Sequence, residues 1–178
     1  MKIFGSGRSA SGVMVLIAVV SLSIACGSYH SKEPLQVPSG SWGLVFPVSD
    51  RFLVAMSGEA VYDRETGLVW ERSPHSERMN WTAACAHCYR NGAGQRLGWR
   101  LPTIEELSSL VDESGLGPAL PPGHPFENIH RLVYWSSTTD NDYDGMAWRV
   151  YFDDGRVGSS VKSIPYSVWC VRGGKSPR

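Results

Sequence analysis

Long apolar runs are scarce in this chain of 178 residues; the longest, Val13–Ala25, is only mostly apolar. A helix that stays in a bilayer takes about 20 such residues, so this run is too short for a permanent span. An excess of one charge is also missing. Lys plus Arg number 17 and so do Asp plus Glu, without a basic run, which removes the electrostatic footprint that nucleic acid binding requires. Losing Lys2 and Arg8 with a leader shifts that balance only to 15 against 17. Compact catalytic signatures are lacking too: there is no G-x-S-x-G, no H-E-x-x-H and no phosphate-cradling glycine loop. Glu105 and Glu106 are accounted for by a helix start. An enzyme is therefore not expected. Cysteine is sparse, with four in all, so any covalent framework has few pairings to choose from.

What is present begins with an address. Lys2 and Arg8 precede the apolar run, and Ser23-Ile-Ala25 fits small-x-small cleavage, the pattern of a signal peptide over residues 1–25. Leu22-Ser-Ile-Ala-Cys26-Gly also resembles a bacterial lipoprotein box, with its leucine four residues before the cysteine instead of three. We expect Cys26 to be acylated and to attach the chain to a membrane through its lipid. That places an exported protein on the outer membrane, in the periplasm or at the cell surface. Residues 26–50, rich in Pro, Ser and Gly, read as a tether. Residues 51–175 read as one folded domain and 176–178 as a tail. A hydrophobic content of 42% with seven tryptophans gives that domain a packed core.

The stretch Gly98-Trp-Arg-Leu-Pro-Thr-Ile-Glu-Glu-Leu107 organises the domain. Pro102 stops a short buried strand because it has no N–H for a ladder. Thr103 then caps a helix, with Glu106 three residues on to complete a capping box. Ile104, Leu107, Leu110 and Val111 give that helix one apolar face. Upstream, Trp81, Ala84, Cys85 and Cys88 recur at helical spacing after an Asn80 cap, and Asn91-Gly92 ends the run.

Around these, Phe52–Met56 reads as a first strand, and Ala60–Asp63 with Leu68–Glu71 as a hairpin. Arg72–Arg78 reads as a polar connector. The segment 113–131 is a long Pro- and Gly-rich loop carrying His124, with His130 beside it; loops of this length are functional or braced by their own packing. Tyr134–Thr139 is a strand. Along Ala147–Phe152, Trp148, Val150 and Phe152 share one face, and Arg149 and Tyr151 the other. Asp153-Asp-Gly155 turns into Arg156–Ser160, and Ser167–Arg172 closes the domain as a final strand. The expected class is α+β, with two short helices packed on one twisted antiparallel sheet.

In an oxidising compartment cysteines are read first as disulfides. We pair Cys88 with Cys170, closing a loop of roughly 80 residues and stabilising by about 4 kcal/mol in the chain-entropy model. With Cys26 acylated, Cys85 is left over as a buried thiol; without acylation a Cys26–Cys85 bridge becomes open to it. Cys85-Ala-His-Cys88 is also a C-x-x-C, which admits a redox or zinc reading. Asp140, Asp142 and Asp144, followed by Gly145, form the first half of a calcium loop, although Tyr151 stands where its bidentate Glu belongs.

Taken in order, Leu68-Val-Trp-Glu71, Met79-Asn-Trp81-x-x-Ala84-x-x-x-Cys88, Gly98-Trp-Arg-Leu-Pro-Thr-x-x-Glu-Leu107, Tyr134-Trp-Ser-Ser-Thr138, Ala147-Trp-x-Val-x-Phe-x-x-Gly155 and Trp169-Cys-Val-Arg172 resemble the bacterial Lcl C-terminal domain family. The resemblance runs from about Phe52 to Gly174. It implies a C-type-lectin-like fold in which a disulfide ties the first helix to the terminal strand. In the collagen-like adhesin after which the family is named, the domain is associated with sulfated glycosaminoglycans. This chain has no Gly-x-y repeat to trimerise it, and neither the Glu-Pro-Asn nor the Gln-Pro-Asp tripeptide of calcium-dependent sugar binding. Fold analogy alone does not carry function. The expectation is a non-catalytic, envelope-anchored recognition module for a glycan or a protein. Its contacts would come from the 113–131 loop with His124, the acidic tip, Arg149 and Tyr151. The alternatives are a thiol enzyme using Cys85 and Cys88, or a structural part of an envelope complex.

Overall fold

A computed structural model describes residues 47–112 and 117–173. Cys26, the leader and most of the tether lie outside the described residues. The first elements are α1 (Val48–Arg51), β1 (Phe52–Ala55), β2 (Ala60–Asp63) and β3 (Leu68–Glu71), followed by β4 (His75–Met79) and α2 (Trp81–Arg90). Then come α3 (Ile104–Ser108), β5 (Val133–Thr139), β6 (Met146–Tyr151), β7 (Val157–Val161), β8 (Tyr166–Val168) and β9 (Val171–Gly173).

Both expected helices form where their caps stand. The Asn80 side chain accepts from the Ala83 N–H to start α2. Thr103 and Glu106 make the reciprocal capping box of α3, so that two orphan donors of its first turn are satisfied. The hairpin is β2 against β3, with Asp63 opposite Leu68. Trp99 and Leu101 are buried, but only Arg100 between them pairs, exchanging both backbone bonds with Val171.

The sheet differs from expectation. The described residues form two, ordered β1-β2-β3-β9 and β4-β8-β5-β6-β7, and one pairing, β5 with β8, is parallel. The single closing strand is divided: β8 ends at Val168, Trp169-Cys170 cross over, and β9 continues in the other sheet. The expected polar connector Arg72–Arg78 in fact holds most of β4, which pairs antiparallel with β8. Its side chains are half-buried or exposed, so no apolar alternation announces it.

Two core clusters result. Trp169 is the hub of one, with Trp70, Phe126 and Phe152 packed edge-on to it at ring-centroid distances of 5.5, 4.9 and 5.7 Å, an arrangement their quadrupoles favour. α3 joins this cluster through Ile104 and Leu107. The other gathers Trp81, Cys85 and Cys88 of α2 with Trp99, Trp135 and Val168. Neighbours Tyr134 and Trp135 in β5 fall in different clusters, so α3 and α2 pack on opposite faces of the five-stranded sheet. The Pro-rich loop is braced. Ala119 donates to the Phe152 carbonyl, Glu127 donates to that of Arg72, and Leu120 and Phe126 are buried. At the β6–β7 turn, Gly155 has φ +77°, and a Cβ there would lie 2.6 Å from Val111 Cγ1. Only glycine meets both conditions.

Candidate functional site

The corner where β3 meets the strand crossing is built by Glu71. Its N–H donates to the Cys170 carbonyl at 3.0 Å. Its own carbonyl accepts from Trp169 Nε1 at 2.8 Å. One carboxylate oxygen accepts from the Cys170 N–H at 2.9 Å and the other from Asn91 Nδ2, just past the end of α2. Burial pushes this carboxyl above 4.5, against the lowering pull of those two bonds. The expected disulfide is here as well: Cys88 is bonded to Cys170, with Cα atoms 5.4 Å apart and 82 residues between them in sequence. Cys85 is also disulfide-bonded, which corrects the expectation of a spare thiol. Neither cysteine of the C-x-x-C is available as a redox thiolate or a zinc ligand.

Beside this corner opens a cleft of about 510 Å³ whose walls include Glu71, His75, His87, Asn91 and His130. A shallower hollow of about 320 Å³ continues on the other side of Glu71 and Ser73, toward Glu59 and Arg72. The His75 and His87 rings lie 4.3 Å apart. Burial, then the charges of His75 and Arg90, hold the His87 imidazole below its usual range. Glu71, His75 and His87 escaped the sequence reading as a group. Nothing in their spacing joins them; they meet because β4 returns along β8 beside the C-terminal half of α2. The one local sign was a charged residue closing the otherwise apolar strand Leu68–Glu71.

Of the expected ligand residues, Arg149 and Tyr151 come together and His124 does not join them. On the α2 face of the five-stranded sheet, the Arg149 guanidinium lies over Tyr151 at 4.4 Å and over Tyr166 of β8 at 5.1 Å. Arg149 is half-buried, not exposed, and its Nε and Nη1 are covered and without a hydrogen-bond partner among the described residues. Tyr166 was not foreseen; it arrives through the parallel β5–β8 pairing. Arg156 adds a second cation over Tyr151 at 5.3 Å and is itself paired with Asp154. His124 packs instead against Phe126 in the Trp169 cluster, where burial lowers its basicity.

The acidic tip is turned to other uses. Asp140 is buried and its carboxylate accepts from the Asp142 N–H at 3.1 Å, an Asx turn. Lys162 Nζ donates to the Asp144 carbonyl at 2.8 Å and to Thr139 Oγ1, so an ammonium already stands at this tip. Among the described residues the three carboxylates of Asp140, Asp142 and Asp144 do not converge. Among the described residues the one group of three potential ligands whose donor atoms lie within 4.8 Å of one another is Glu71, His87 and Cys170. A calcium ion has no ready cage at the tip.

No curated protein matches the chain. A family model described as the Lcl C-terminal domain matches residues 59–172, from just before β2 to β9. That span takes in the hairpin, both capped helices, the disulfide corner and the Tyr–Arg–Tyr stack, and the chain therefore belongs to the Lcl C-terminal domain family.

Proposed function

We propose that this domain is a non-catalytic recognition module of C-type-lectin-like architecture, exported to the bacterial envelope. Its ligand is an anionic glycan, met by the Tyr151–Arg149–Tyr166 stack. The observation that supports this reading most is the state of Arg149. The guanidinium is held by two aromatic rings, and no carboxylate among the described residues neutralises it. A fixed, unpaired guanidinium suits sulfate or carboxylate groups, which it binds in a planar, directional manner. The flanking tyrosines offer apolar faces to sugar rings at little entropic cost, having few rotatable bonds to fix. The thiol-enzyme alternative finds no support at its own residues, since Cys85 and Cys88 are both oxidised.

The test is retention of the mature chain on a sulfated-glycan array and on immobilised heparin, with and without EDTA. Binding is expected in both conditions, because the stack needs no calcium. Arg149→Ala and Tyr166→Ala are expected to weaken it at least about tenfold, the loss of a charge-assisted contact or a stacking face. Failure to bind any anionic glycan, or variants that bind as the wild type does, would overturn the proposal.

A further inference from the structure

The histidine cleft has a chemistry that the Tyr–Arg–Tyr stack does not share. Three of the chain's five histidines line it, from β4, from α2 and from the loop before β5. No lysine or arginine is among its lining residues, which argues against an anion. His75 faces His87 ring to ring at 4.3 Å, and Glu77 lies 3.9 Å from His75 Nε2. A Glu71 carboxylate oxygen and the nearer His87 nitrogen lie within 4.8 Å of each other. Two ligands on one tetrahedral zinc ion stand about 3.4 Å apart, given metal–donor distances of about 2.1 Å. Side-chain rotation must close the remaining gap, and His75, which stands outside that close group, must turn to bring a nitrogen to the same ion. The nearby Cys170 sulfur is consumed by its bond to Cys88 and carries no thiolate charge.

We infer that this cleft is a binding site for a divalent transition-metal ion of the zinc class. His75 and His87 are its nitrogen ligands and Glu71 its oxygen ligand, and the open side of the cleft leaves a position for water or a ligand group. Imidazole with carboxylate selects zinc, nickel or copper over calcium and magnesium, which require all-oxygen shells. Asn91, which donates to Glu71, orients that carboxylate from behind.

Isothermal titration of the metal-stripped, oxidised full chain with zinc chloride tests this, with calcium chloride as the contrast. One zinc ion per chain is expected, with no heat from calcium. His75→Gln and His87→Asn each weaken binding at least about tenfold, while Arg149→Ala leaves it unchanged. Cobalt(II) added to the unaltered protein should give the visible bands of a low-coordinate nitrogen–oxygen site, a readout that does not depend on any variant folding. The inference is overturned by absence of saturable zinc binding, by absence of those cobalt bands, or by a folded His75→Gln/His87→Asn double variant that titrates like the wild type.

Discussion

Glu71 and Arg149 are both half-buried charged side chains, and they are treated in opposite ways. Glu71 spends its backbone N–H, its carbonyl and both carboxylate oxygens on the strand crossing and on the residue that ends α2. Arg149 lies between two tyrosine rings and leaves Nε and Nη1 without partners. A buried ionisable group that is fully hydrogen-bonded holds the fold together, because removing it strands its donors. One held mainly by ring faces has no hydrogen-bond network for the fold to lose. The comparison separates a corner that secures the architecture from the face that we propose meets the ligand.

The largest effect expected from breaking the corner comes from its covalent part. Cys88→Ala/Cys170→Ala removes a bridge across 82 residues and should lower the unfolding free energy in urea by about 4 kcal/mol. Next comes Glu71→Ala, which leaves the buried Cys170 N–H without its acceptor and cuts the link to Asn91. A loss of about 2–3 kcal/mol is expected, from one stranded donor and one lost charged bond. At the face, Arg149→Ala should lower stability by about 1–2 kcal/mol, the size of a partly desolvated cation–π contact, while anionic-glycan binding falls. Were Arg149→Ala to cost as much stability as Glu71→Ala, the division between corner and face would fail.

What was legible in the sequence was local. The caps Asn80 and Thr103, the hairpin around Gly67 and the alternation of Trp148–Phe152 are written in neighbouring residues, and all four are present. The partition of the last strand was not legible, because Ser167–Arg172 is apolar enough throughout to serve either sheet. The Glu71 bonds to Trp169 and Cys170, the Cys88–Cys170 bridge and the Arg100–Val171 pair fix where it crosses. The same limit hid β4, whose residues pair through backbone and show solvent a polar side. Without β4 and β8 in place, neither the His75–His87 contact nor the arrival of Tyr166 beside Arg149 has any signature. Half of the Tyr–Arg–Tyr stack was visible as a shared strand face, and the remainder depends on a parallel pairing between distant segments.

The smallest predicted effect sharpens the reading of Glu71. Burial raises its carboxyl in the folded protein above 4.5, so the folded form takes up a proton at a higher pH than the unfolded chain. A group shifted in this direction contributes stability that is fully present below the unfolded value and is lost as pH rises through the folded one. Wild type should therefore gain on Glu71→Gln as pH is lowered from neutrality toward 4.5, and the difference should level off below that. Urea midpoints of the two proteins across this range measure it. A difference that stays flat, or that grows toward neutral pH, would mean that the Cys170 N–H and Asn91 outweigh burial and hold the carboxylate ionised. The corner would then be secured by a charged hydrogen-bond acceptor.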